Sequence, residues 1–340
     1  MSYCTAIGAR ARERPLCLGL WMAFVAVALG VAKAADPPSA PGIVAAGDTR
    51  LILLGTQGGP VSHGNRAQPA SLLVVRGTPY LIDAGSGVVR QLALAHFQPA
   101  DVHQIFITHN HDDHDADWGT LMGLAWSTGS ADPMTVHGPR GTESMLGGFL
   151  QYFAPNVAAR FVAGARNTAP GRIMHAVDIA APGLVYEDSQ VRVTAVENCH
   201  YHFAPGSPGR VNPQSFAYRF QTPDRVIVFS GDTGSCGQVL SDFAKGADIL
   251  VHEVIDLPGI ERLLPAGPSP QWRESMMNHM RTEHSTPAEV GRVARDAGVK
   301  MVVLTHVIPG LETDSDSVYT EGVRKVFAGP VVLGKDLMEF

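Results

Sequence analysis

His109-Asn110-His111-Asp112-Asp113-His114 packs three imidazoles and two carboxylates into six consecutive residues. The segment just before it, Val102-His103-Gln104-Ile105-Phe106-Ile107-Thr108, alternates apolar and polar positions and reads as a buried strand. The donor-rich run therefore sits at the carboxyl end of a strand, where ligands of open α/β sheets gather. In a His-x-His-x-Asp-His pattern the first two histidines can hold one metal, and the aspartate and last histidine a second. Imidazole and carboxylate together suit zinc, and also manganese or iron. A solvated acidic loop with incidental histidines is the alternative, and this spacing speaks against it.

Working outward, the N-terminal 34 residues separate from the rest. Arg10, Arg12 and Arg14 form a basic start, residues 16–31 are almost wholly apolar, and Ala32-Lys33-Ala34 is a small-x-small cleavage site. Residues 1–34 read as a secretory signal peptide, which predicts a periplasmic or secreted protein with no membrane segment after cleavage. Residues 35–48, rich in Pro, Ala and Gly, read as a linker, and residues 49–340 as one catalytic domain. The complete chain has a formal net charge of −6. Removing the leader makes the balance more acidic, a poor electrostatic footprint for a nucleic-acid binder. Two of the four cysteines, Cys199 and Cys236, stay in the mature part, where a disulfide between them could persist.

Strands are expected at residues 50–56, 71–76, 80–83, 134–137, 172–179, 184–187, 191–197, 215–221, 225–230, 249–254, 301–304 and 331–333. Helices are expected at 88–97, 118–127, 141–153, 237–245, 287–297 and 318–327. This mixture of strands and helices predicts an α/β fold of αββα layers. Residues 256–281, which include Trp272, Met276, Met277 and Met280, read either as a lid offering an apolar wall or as a surface helix.

His109-x-His111-x-Asp113-His114 resembles the signature of the metallo-β-lactamase fold. Gly55-Thr56-Gln57-Gly58-Gly59-Pro60, Asn65-Arg66 and the Asp83-x-Gly85 turn are similar to the ribonuclease Z and arylsulfatase-like branch of that fold. The resemblance covers about residues 50–337 and implies an αββα metallo-β-lactamase sandwich. It also implies a dinuclear zinc site: His109, His111 and His200 on one ion, Asp113, His114 and His306 on the other, and Asp232 bridging both. His202 rivals His200, which is preferred. The bridging aspartate fits branches that cleave phosphodiesters, sulfate esters, thioesters or lactones. His252-Glu253 and His284-Ser285-Thr286-Pro287 resemble paired motifs of the ribonuclease Z branch. They imply that His284 donates a proton near the scissile bond and that Glu253 orients it, while Ser285 or Thr286 caps a helix begun by Pro287. The catalytic set is thus Asp113, His284 and Glu253. His252 is assigned a structural role; His63, His96, His103, His137, His175 and His279 receive none.

Ribonuclease Z carries a long tRNA-gripping arm between its third histidine ligand and its bridging aspartate, where this chain has only 31 residues between His200 and Asp232. Together with the acidic balance and the leader, this favours an exported, arylsulfatase-like dinuclear zinc hydrolase. Its substrate is expected to be a small-molecule sulfate or phosphate ester, attacked by metal-bound hydroxide, with no nucleic-acid partner. A homodimer is left open. The alternatives are a lactonase or β-lactamase, a phosphodiesterase or ribonuclease Z-like nuclease, and a non-catalytic periplasmic metal-binding protein.

Overall fold

The structure is a computed structural model that describes residues 48–201 and 213–340. The expected leader, the linker up to residue 47, His202 and most of the 204–213 turn lie outside the described residues.

In chain order the first part runs β1 (Thr49–Gly55), β2 (Ala70–Val75), β3 (Thr78–Ile82), α1 (Val88–Leu94), β4 (Gln104–Phe106), α2 (Asp112–Asp115), α3 (Trp118–Ser127), β5 (Met134–Gly138), α4 (Thr142–Val162) and β6 (Met174–Asp178). These strands form a six-stranded sheet in sequence order. β1 to β3 pair antiparallel, and β3 to β6 pair parallel. Parallel neighbours need a crossover, and helices provide it.

The second part runs β7 (Gly183–Glu187), β8 (Arg192–Glu197), β9 (Phe216–Gln221), β10 (Val226–Phe229), α5 (Val239–Phe243), β11 (Ile249–Ile255), α6 (Leu257–Leu263), α7 (Pro270–Glu283), α8 (Pro287–Ala297), β12 (Met301–Ile308), α9 (Asp316–Arg324) and β13 (Val331–Leu333). Its seven strands lie in the order β13-β12-β11-β10-β9-β8-β7.

Side-chain parity explains why the two sheets face each other. Along β1 and β2, Leu51, Leu53, Leu73 and Val75 join one buried cluster, while Ile52, Leu54, Leu72 and Val74 join another. The first cluster also holds Phe216, Tyr218, Phe220, Ile227 and Val251 of the second sheet, so it is the inter-sheet core. The other holds Trp118, Leu121 and Trp126 of α3. A third cluster packs Val290 and Ala294 of α8 and Val323 of α9 on Leu250, Val302 and Leu304. Helix, sheet, sheet, helix is the expected αββα layering.

Local sequence accounts for the ends of these elements. Thr286 and Glu289 form a capping box at the start of α8, Pro287 opens it, and Gly298 closes it at φ 63°. α4 runs beyond the expected stop near residue 153, through Pro155, to Val162. Proline removes one bond of the ladder and crowds the carbonyl four residues before it, which disfavours a helix interior without forbidding it.

β12 departs from expectation in a way that matters. It extends to Ile308, and its pairing with β11 shifts between Glu253↔Thr305 and Val254↔Val307. His306 is therefore the extra residue of a β-bulge, at φ 42°. Strict alternation would put His306 on the helix-facing side with Val302 and Leu304. The bulge gives that place to Val307, which packs in the helix-side cluster, and frees His306.

Candidate metal centre

The carboxyl ends of β4, β8 and β10, with the bulge of β12, bring seven donors together. His109 Nε2 lies 3.0 Å from His111 Nδ1, and His200 Nε2 lies 3.1 Å from the same nitrogen. Beside this trio, His306 Nε2 is 3.3 Å from Asp113 Oδ2 and 3.0 Å from Asp232 Oδ2. His114 Nε2 is 3.5 Å from Asp113 Oδ2 and 3.3 Å from Asp232 Oδ1. Asp232 Oδ2 also comes within 3.8 Å of His109 Nε2, which puts this carboxylate between the two groups. His109-His111-His200 and Asp113-His114-Asp232-His306 each converge closely enough to hold an ion. The structure brings every expected ligand to one place. The contest with His202 falls outside the described residues.

The outer face of each ring fixes which nitrogen is free. His200 Nδ1 donates to the carbonyl of Glu283 at 3.0 Å, and His114 Nδ1 to Asp83 Oδ2 at 2.9 Å. Thr108 Oγ1 donates to Asp83 Oδ2 at 3.0 Å and so is left to accept from His109 Nδ1 at 3.1 Å. Carbonyl and carboxylate partners of this kind orient metal-binding imidazoles. Asp83 does this from the end of β3 with its backbone at φ 58°. Sequence reading yields only a turn there, and Asp83 is a positioning residue it misses.

The electrostatics fit metal ions. Burial, with repulsion from neighbouring imidazoles, lowers the pKa of His109, and burial takes His200 down to about 4. These rings keep their lone pairs. In the other group burial works to raise Asp113 and Asp232, yet His114 and His306 hold both well below the usual carboxylate range. Burial likewise opposes charge on His306, but Asp232 and Asp113 raise it to about 10. This half of the site thus demands positive charge in a buried setting, which a divalent ion supplies. His114 Nε2 and Asp232 Oδ1 are buried and face each other at 3.3 Å without the geometry of a hydrogen bond, as two ligand atoms of one ion would. Gly59 closes one wall: its N–H donates to Asp113 Oδ2 at 2.9 Å, and a Cβ there would overlap the Asp113 side chain.

Glu253 and His284 form a buried pair at the edge of the cluster, with His284 Nδ1 3.2 Å from Glu253 Oε2. The other Glu253 oxygen accepts from the backbone N–H groups of Thr233 and Ser285, each at 3.0 Å. The His284 ring stacks 5.6 Å from that of His306 and lies 5.4 Å from that of His200. Burial opposes protonation of His284, and Glu253 more than offsets it, so its pKa is raised. His252, fully buried, donates from Nδ1 to the Glu253 carbonyl at 2.8 Å, in keeping with a structural role. Cys199 and Cys236 are joined in a disulfide, Cα atoms 5.3 Å apart, tying the His200 segment to the turn that follows Asp232.

The 256–281 stretch contains α6 and most of α7. Ser269 caps α7 by accepting from Trp272 N at 3.1 Å, and only Met277 of the helix is fully buried. Its end delivers Glu283 and His284 to the centre. His279, given no role from sequence, stands here too, with its ring 5.9 Å from that of His284. The Tyr201 ring packs 5.3 Å from that of His111.

A family model described as a beta-lactamase superfamily domain matches residues 78–307, a span that contains all seven donors. Ribonuclease Z of Mycobacterium sp. (strain KMS) is 30% identical over 290 residues, 84% of this chain and 94% of its own. Ribonuclease Z of Mycolicibacterium paratuberculosis is 30% identical over 292 residues, covering 84% and 96%. Among solved structures, the short form of human tRNase Z aligns over 86% of this chain and 98% of its own, with a TM-score of 0.59 and 21% identity. The metallo-β-lactamase fold protein YhfI of Bacillus subtilis aligns over the same shares, with a TM-score of 0.61 and 18% identity. Relatives named for RNA cleavage, matched along nearly their whole length, correct the expectation of a small-molecule ester and no nucleic acid. That expectation rested on the short stretch between His200 and Asp232, the acidic balance and the leader, and relatives matched at this length outweigh all three. A sum over the whole chain does not say where the charges lie, and a polyanion meets the local field rather than the total.

Proposed function

The chain belongs to the β-lactamase superfamily of metal-dependent hydrolases, and from that premise we propose that it hydrolyses phosphodiester bonds of RNA. The observation that carries this reading is the Glu253–His284 pair set directly beside a seven-donor cluster. His109, His111 and His200 would hold one ion, Asp113, His114 and His306 a second, and Asp232 would be shared. Two zinc ions, or manganese or iron, would supply Lewis acidity toward the phosphate oxygens and toward water.

The chain's own residues do the rest. Asp83 and the Glu283 carbonyl keep the ligand rings turned inward. Glu253 keeps the Nδ1 proton of His284 and directs its Nε2 toward the reacting bond. As water oxygen bonds to phosphorus, shedding a proton to the surrounding solvent, and the phosphorus–oxygen ester bond breaks, His284 gives its proton to the departing oxygen. The matching of relatives named ribonuclease Z over 84% of the chain supports RNA as the substrate class. The same reading takes the enzyme to be exported. Residues 1–34 read as a leader, and a Cys199–Cys236 bridge is of the kind that persists in an oxidising compartment.

The test is direct. The zinc-loaded protein should cleave RNA oligonucleotides and bis(p-nitrophenyl) phosphate, and leave p-nitrophenyl sulfate untouched. Sulfate ester turnover without phosphodiester turnover overturns the reading.

A further inference from the structure

α7 ends in Asn278-His279-Met280-Arg281-Thr282-Glu283-His284, and this segment builds more than the proton donor. His279 and Glu283 are four residues apart and share one helix face. His279 Nδ1 lies 3.0 Å from Glu283 Oε2. Glu283 is also the residue whose carbonyl holds the ligand His200. One residue thus steadies a metal ligand with its main chain and a second imidazole with its side chain.

The exposure of these rings rises in order. The side chain of His306 is 4% exposed, that of His284 6%, and that of His279 34%. His284 neighbours both of the others, its ring 5.6 Å from that of His306 and 5.9 Å from that of His279. His306 meets the ion, His284 the departing oxygen, and His279 the solvent just beyond. His279–Glu283 repeats the His284–Glu253 arrangement one step outward. A bare surface ion pair at this helical spacing would be worth little. Here the carboxylate partner is only 17% exposed, so the ring is held where the site opens.

We propose that His279, held by Glu283, binds an anionic oxygen of the next phosphate along the leaving strand. The assignment rests on the phosphodiesterase reading above. With Nδ1 committed to Glu283, Nε2 is the nitrogen left for a ligand. An anionic oxygen accepts only from a ring N–H, so the complex holds His279 as the imidazolium, one N–H to Glu283 and the other to phosphate, a charge-assisted bond that the two flanking anions favour. The step from His284 to His279 is comparable to that between consecutive phosphates of an extended strand.

The experiment compares wild type, His279→Ala and His279→Arg as zinc-loaded proteins. An RNA oligonucleotide carries the next phosphate; bis(p-nitrophenyl) phosphate does not. His279→Ala should raise KM for the oligonucleotide about 10-fold with kcat nearly unchanged, and leave bis(p-nitrophenyl) phosphate kinetics and zinc content as in wild type. Binding is read separately, by fluorescence anisotropy of an oligonucleotide with a methylene phosphonate at the scissile position. Its log Kd against log salt should flatten by roughly 0.7 in His279→Ala, because one fewer phosphate of a single strand is neutralised, and recover in His279→Arg. A wild type that cleaves both substrates, with His279→Ala matching its KM and salt slope, overturns the assignment alone. Equal losses on both substrates also overturn it, by showing a structural role. A wild type that cleaves neither overturns the phosphodiesterase reading and this assignment with it.

Discussion

As the proposed proton donor, His284 should matter in proportion to how badly the departing oxygen needs a proton. An alkoxide needs one and a nitrophenolate does not. His284→Ala should therefore keep both ions and slow RNA cleavage by about 10²–10⁴-fold, while barely affecting bis(p-nitrophenyl) phosphate. Glu253→Gln should show the same trend more weakly. Equal losses on the two substrates, or loss of zinc, would remove the general-acid role. His137 makes a different kind of residue-scale prediction. Its ring stacks 5.0 Å from that of Phe106, its Nδ1 is buried without a partner, and burial lowers its pKa to about 4. The folded chain thus resists a proton that the unfolded chain accepts at its ordinary value. Stability from the neutral ring is present in full above about pH 6.5 and is lost as pH falls toward the folded pKa, by up to about 3 kcal/mol. In urea titrations of the metal-free protein, His137→Phe should lose less stability than wild type between about pH 7 and about pH 4.5. Parallel curves would show that the fold does not disfavour the proton.

The bulge of β12 shows how much one backbone irregularity decides at the scale of the element. His306 sits at φ 42°, where a β-branched residue is strained and asparagine is tolerated. In the presence of chelator, His306→Val should be less stable than His306→Asn by about 1 kcal/mol or more; equal stability would mean that the bulge relaxes freely. Both variants should lose an ion. This bulge also marks the limit of what the sequence discloses. The apolar run 301–304 announces the strand, and Leu304-Thr305-His306 resembles a family motif. Alternation alone would point His306 at the helices, because a positive φ leaves no trace in hydrophobic pattern. α3, α8 and β13 are legible to the residue because their apolar periodicity or end signals are local. Asp83 and His279 are not legible. Asp83 meets its partner His114 only through the packing of β3 beside β4, and His279, though its partner Glu283 is four residues along the same helix, comes to the cluster only through the docking of α7. α7 itself is ambiguous because just one of its side chains is fully buried, so its pattern does not say what it covers.

Across the whole molecule, the centre exists only because two sheets meet face to face. Phe106 lies at their contact, with ring centroids 5.9 Å from Tyr218 and 5.1 Å from Phe220 of the opposite sheet. Phe106→Ala should cost about 3–5 kcal/mol. Its unfolding should remain one transition, seen alike by circular dichroism and tryptophan fluorescence, because neither sheet can bury its inner face without the other. Two separated transitions would show that the sheets are independent. The donors share this dependence: they are drawn from the first sheet at His109 and from β12 of the second at His306. The donor set is therefore a mark of completed folding: a chain in which β12 has not docked lacks His306 beside Asp113 and Asp232 and has no full ligand set.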